Sequence, residues 1–147
     1  MTIIVDASIF ISALINPSGK EASIIFNSHE KVDFVAPELV FKEVLSKKNK
    51  IISGSYHIES SIAESILILE TIISIFDVEK YHPGILNVAK QLTYSIDKKA
   101  TQYIALAILL EGLFWTGDLK LLKGLKRKDF IQIITTLDFE QILKGLR

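Results

Sequence analysis

No cysteine occurs among the 147 residues, which excludes disulfide frameworks, thiolate metal centres and cysteine nucleophiles. Histidine is nearly as scarce. His29, His57 and His82 stand apart from one another and from the acidic motifs, and none is given a role. Neither charge is in excess: seventeen basic residues balance seventeen acidic ones. Bulk charge therefore points to no polyanionic partner, although local patches can still bind one, and a net charge near zero favours association. No basic region precedes the apolar start "MTIIVDASIF", which Asp6 interrupts; a secretory leader reads differently. The most apolar stretch, "SIAESILILETIISIF", carries Glu64 and Glu70 and is too short to span a bilayer. A cytoplasmic protein is expected. Repeats, low-complexity segments and interdomain linkers are also missing.

What is present suits a compact fold. Hydrophobic residues make up 49% and charged ones 23%, and a chain of this length buries about two-thirds of its unfolded surface as one domain, here residues 1–147. Short β-branched runs alternate with longer periodic ones. Ile3-Ile4-Val5 reads as a strand buried on both faces. A short helix over 8–14 ends at the turn "NPSG", a second helix covers 20–28, and residues 32–36 form a second strand. The next helix spans 37–52, with Pro37 in its first turn and Glu43 and Lys47 placed to pair at i,i+4. Residues 57–73 form the most apolar helix, 74–78 a short crossing segment and 83–92 another helix. From about residue 98 a helix presents Tyr103, Leu106, Ala107 and Leu110 on one stripe, with Gly112 as its stop. A strand over 113–116, a short helix over 119–125, a strand over 131–135 and a helix over 137–146 complete the chain. Such alternation predicts a parallel sheet with helices on both faces.

In such folds ligands bind beyond the carboxyl ends of the strands, near the point where strand order reverses. Asp6 ends the first strand, and Asp118 follows "LFWTG" at the end of a later one. Glu43, after the second strand, is a third candidate. Singly, Asp6 and Asp118 read equally well as helix caps and Glu43 as a solvated residue. Together they suggest a cleft. Two carboxylates about 4 Å apart repel by roughly 4 kcal/mol at an effective dielectric near 20, so a cluster implies bound protons or a cation. Oxygen-only donors point to Mg²⁺ or Mn²⁺ rather than Zn²⁺.

The segments "IIVDASIFISALI", "APELVFKEVLSKKNKI", "DKKATQYIALAILLEGLFWTGDLKLLKGL" and "FIQIITT" resemble, in this order, a PIN domain. The resemblance implies a three-layer α/β/α sandwich around a parallel sheet and an acidic pocket binding Mg²⁺ or Mn²⁺. It implies hydrolysis of RNA phosphodiesters, and free-standing domains of this size resemble the VapC-like toxins of type II toxin–antitoxin pairs. Homodimerisation and a cognate antitoxin are implied with it. Asp6, Glu43 and Asp118 match the family's acids. Ser8 matches a small polar position, and Thr116 opens the "TGD" motif, where its hydroxyl contacts the pocket or fixes the turn.

One family acid has no counterpart. The position three residues before Tyr103 holds Ala100, and the nearest acid, Asp97, lies upstream. A helix beginning near residue 98 places Asp97 to cap it, roughly 4.5 Å along the axis from position 100 at 1.5 Å per residue. Asp97 is thus read as a cap or outer acid, with metal ligation as its lesser role. Ala100 is open to three readings: a deliberate aspartate-to-alanine replacement, a naturally degenerate site, or a site in which Asp97 substitutes. Retention of every other expected acid favours the first.

Basic residues flank the acids: Lys47, Lys48 and Lys50 after Glu43; Lys98 and Lys99; and Lys120, Lys123, Lys126, Arg127 and Lys128 after Asp118. They suit phosphate positioning with salt-sensitive affinity, although any single lysine reads more readily as part of a solvated surface. A mean hydropathy of +0.36 is as consistent with a buried dimer face as with core packing. The rival functional reading is a catalytically inactive PIN-like RNA-binding or scaffold protein. Receiver-like and phosphatase-like α/β domains fit less well, because "DAS" stands where a phosphatase needs D-x-D.

Overall fold

In the computed structural model, which describes residues 1–54 and 59–146, five parallel strands form one sheet. In chain order the elements are β1 (Thr2–Val5), α1 (Ala7–Ile15), α2 (Lys20–Ser28), β2 (Asp33–Pro37), α3 (Leu39–Ser46), α4 (Lys48–Gly54), α5 (Glu59–Ile72), β3 (Ser74–Phe76), α6 (Val78–Tyr81) and α7 (Pro83–Thr93). A single 3₁₀ turn (Lys98–Ala100) then leads into α8 (Thr101–Leu109), followed by β4 (Leu113–Trp115), α9 (Leu119–Arg127), β5 (Ile133–Ile134) and α10 (Thr136–Gly145). Helices cover both faces in a three-layer α/β/α sandwich. The spatial order is β3-β2-β1-β4-β5. The chain therefore winds outward from β1 through β2 to β3, then crosses to the other side of β1 for β4 and β5. Strand order reverses between β1 and β4, so their carboxyl ends flank a crevice.

Ile3, Ile4 and Val5 are wholly buried, as a continuous β-branched run predicts for a central strand. Phe34, Trp115 and Phe139 form an aromatic cluster that joins β2, β4 and α10, with Phe139 edge-on to the other two rings and Phe34 tilted against Trp115. α8 is more deeply buried than a single stripe requires: Tyr103 to Ala107 are all buried. Its contacts with α7 on one side and with β1, β2 and β4 on the other need the small side chains of Ala105 and Ala107.

Several expectations are corrected. The helix expected over 37–52 is broken at Lys47 (φ −104°), whose N–H turns back to Val44 and Leu45. Pro37 is not in the helix but closes β2, opposite Phe76 of β3. The break takes Lys47 out of the helical i+4 position, and among the described residues no Glu43–Lys47 ion pair forms. The crossing segment at 74–78 is the edge strand β3 followed by the cap of an unforeseen helix: Asp77 accepts from the Lys80 N–H and starts α6. The 57–73 prediction begins, with His57, outside the described residues. In the described part of α5, Leu69 is buried but Leu67 is 61% exposed.

The turn after α8 is also corrected. Glu111, not Gly112, takes the left-handed conformation (φ 51°). Gly112 is needed for space: an added Cβ would stand 2.6 Å from Ile4 Cδ1 and 2.9 Å from the Thr2 carbonyl oxygen. Gly112→Ala is expected to cost about 1–3 kcal/mol through overpacking, read as a lower urea midpoint. An unchanged midpoint would show that β1 yields freely there. Among the described residues no helix is long and apolar enough to cross a membrane.

Candidate metal centre

Asp6 leaves β1 at the crevice and is only 9% exposed. It occupies the N-cap position of α1, yet its side chain makes no capping bond. Instead Oδ2 accepts from the Ser8 hydroxyl and the Thr116 hydroxyl, each at 2.7 Å. Each hydroxyl in turn accepts a backbone N–H, Ser8 from Gly117 and Thr116 from Asp118, both at 3.1 Å. The "DAS" and "TGD" stretches are thereby laced together, and the Asp6 N–H bonds the Trp115 carbonyl across the same seam. Burial raises the Asp6 pKa against the two hydroxyl bonds, and the Asp118 charge adds to the rise.

Asp118 does what its cap reading predicts, accepting the Leu121 N–H at the start of α9, and it also lines the pocket. Glu43 comes from α3 and accepts the Tyr103 hydroxyl at 3.1 Å. Burial, and then the Asp6 charge, push its carboxyl up to about 7 despite that bond. Asp97 accepts the Lys99 N–H and caps the 3₁₀ turn, in keeping with its spacing. Ala100 is 2% exposed. Asp6, Ser8, Glu43, Asp97, Ala100 and Asp118 all line one cavity of about 380 Å³. Thr116 lies buried behind it.

The basic residues divide differently from the expectation. Lys47, Lys50 and Lys99 belong to the cavity wall. Lys120 is exposed on α9 and is not part of that wall. Lys128 serves the fold: its ammonium bonds the Gln91 and Leu92 carbonyls and Ser95 Oγ, closing the carboxyl end of α7, where a cation is favoured. The residue that sequence reasoning missed is Tyr103. Its place on the apolar stripe marks it as core, yet its hydroxyl reaches the pocket. Its i+3 spacing from Ala100 is the available signal.

The buried carboxylate of Asp6 after β1 and the partly exposed one of Glu43 on α3, with Asp118 lining the same cavity, give an oxygen-only donor set that suits a hard divalent cation. Their convergence is incomplete. Among the described residues no three carboxylate or imidazole side chains come close enough to hold a metal ion, and the 3₁₀ turn before α8 offers the methyl of Ala100 to the cavity wall.

Residues 4–140 match the family model described as PIN domain. The chain belongs to the PIN domain family. No curated protein matches it in sequence. Among solved structures, a chain of "Crystal structure of VapBC2 from Rickettsia felis bound to a DNA fragment from their promoter" is similar, with a TM-score of 0.64 over 92% of this chain and 97% of that one. Sequence identity is 11%, so the likeness is one of fold.

Proposed function

We propose that the protein is a Mg²⁺- or Mn²⁺-dependent endoribonuclease, the toxin of a toxin–antitoxin pair, whose site is weakened here by Ala100. The observation that carries this reading is the meeting of Asp6, Glu43 and Asp118 in one cavity beyond the carboxyl ends of β1 and β4. The toxin assignment draws on the fold likeness to VapBC2. A cognate antitoxin and a second copy of the chain are the protein partners it implies, with RNA as substrate.

A bound cation at these acids would lower the pKa of a water and stabilise charge on a phosphodiester. The chain's own residues have distinct tasks. Asp6, fixed by Ser8 and Thr116, and Asp118, fixed by its cap, would hold the cation. Glu43, with a carboxyl near neutral pKa, is suited to take the proton from the attacking water. Lys47, Lys50 and Lys99 would hold flanking phosphates. Ala100 and the incomplete convergence favour a second reading, RNA binding without cleavage.

Binding and cleavage of a labelled cellular RNA, each measured with Mg²⁺ and with EDTA, test these readings. Cleavage that needs Mg²⁺ supports the nuclease. Equal binding in both conditions with no cleavage favours the second reading. Replacing Lys47, Lys50 and Lys99 together by methionine is expected to weaken binding and lower the salt slope of log K by up to about 2, at roughly 0.7 for each single-strand phosphate no longer neutralised. An unchanged slope would remove these lysines from the interface.

A further inference from the structure

We propose that Tyr103 is a positioning residue whose hydroxyl holds the Glu43 carboxylate at the cavity wall, where it is available to a cation. The inference rests on the reading of this pocket as a cation site. Glu43 lies on α3, partly open to solvent, and a glutamate loses appreciable rotamer freedom on being fixed. The Tyr103 hydroxyl donates to that carboxylate, and the donor itself is rigidly placed. Tyr103 is 1% exposed, its ring lies tilted at 5.5 Å on Phe114 of β4, and α8 runs through the core.

A hydroxyl at this point also adds no negative charge. Asp6 and Glu43 already repel each other, and a neutral donor orients the glutamate without increasing that repulsion. Tyr103 follows Ala100 by three residues, so both belong to the same face of the helical segment and both line the cavity. α8 thus acts on the pocket through a phenol, although its expected carboxylate is missing. A metal centre depends on the groups that aim its ligands as well as on the ligands themselves.

Tyr103→Phe keeps the ring in the core and removes only the donor. Mn²⁺ affinity, followed by the EPR signal of the free ion, would be measured for Tyr103→Phe, Glu43→Gln and the double variant. Each would be made in the unsubstituted chain and in the Ala100→Asp background. Tyr103→Phe is expected to weaken Mn²⁺ binding about tenfold, the lower end of the range for lost outer partners. In the Glu43→Gln background it should weaken it no further. Affinity unchanged by Tyr103→Phe, or a loss of equal size with and without Glu43, overturns the proposal. Should neither background take up Mn²⁺, the cation reading itself fails. Thermal unfolding of the unsubstituted chain and its three variants then decides the contact: non-additive melting changes support the Tyr103–Glu43 tether, and additive ones overturn it.

Discussion

Replacing Ala100 by aspartate is expected to raise Mg²⁺-dependent RNA cleavage by at least about 100-fold, the upper figure for losing even an outer partner of a metal ligand. Mn²⁺ binding should tighten in parallel. The backbone already accommodates the change: Ala100 sits in the ordinary right-handed helical region (φ −78°, ψ −11°), open to any L residue. Its Cβ lines the cavity that Asp6, Glu43 and Asp118 share. The added carboxylate would meet them at a repulsion of roughly 4 kcal/mol for a neighbour about 4 Å away at an effective dielectric near 20, which Lys47, Lys50 and Lys99 on the same wall offset only in part. The metal-free variant should accordingly melt lower than the unsubstituted chain, and Mg²⁺ should recover the difference by mass action. Gel assays on cellular RNA and melts with and without Mg²⁺ read both effects. A folded Ala100→Asp protein that neither cleaves RNA nor gains Mn²⁺ affinity would sink the nuclease reading.

Asp6→Asn should act with opposite signs on function and stability. In the Ala100→Asp background it is expected to reduce cleavage by more than about 100-fold, since the proposed function makes Asp6 a direct ligand, worth more than an outer partner. Yet the metal-free protein should melt higher at pH 7. Asp6 is held in a site whose burial disfavours its charge. The Ser8 and Thr116 hydroxyls, now 2.7 Å from Oδ2, can donate equally well to an amide oxygen.

The pH dependence follows with its sign. Glu43 has a folded pKa of about 7 against an ordinary 4.5, so the folded state holds the proton more tightly. Its contribution to stability is complete below pH 4.5 and is lost as pH rises through 7. Asp6 shifts in the same direction. In EDTA the unsubstituted chain should therefore lose melting temperature between pH 4.5 and 7. Asp6→Asn should flatten that loss, because it removes one raised carboxyl and the charge acting on Glu43. Solvent screening at the partly exposed Glu43 limits the size of the effect. An Asp6→Asn protein that melts lower at pH 7, or one that still cleaves, would contradict the assignment.

Elements whose patterns are local are legible in the chain. Ile3-Ile4-Val5 could only be a buried strand. Asp97 and Asp118 read as caps because capping depends on a few adjacent residues, and both accept the expected backbone N–H. The role of Lys128 is not legible, because α7, whose end it closes, lies more than thirty residues away in sequence. The Glu43–Lys47 pair fails because one residue outside the helical region at Lys47 breaks the i,i+4 relation. Gly112 has the pattern of a left-handed stop, whereas its constraint is Ile4 pressing from β1.

The sequence by itself determined the alternation of strands and helices, the acids at strand ends and the alanine at position 100, since each is written in the identity and spacing of neighbouring residues. Tertiary structure decided the rest. It set two hydroxyls, from Ser8 and Thr116, on one oxygen of Asp6. It brought Lys47, Lys50 and Lys99 to the cavity and kept Lys120 off its wall, and it turned a core tyrosine into a hydrogen-bond donor to Glu43. The Tyr103–Glu43 and Thr116–Asp6 pairings join residues 60 and 110 positions apart, while Ser8 is a near neighbour of Asp6 in the chain. They arise only where strand order reverses between β1 and β4, a geometry fixed by the packing of the whole sheet.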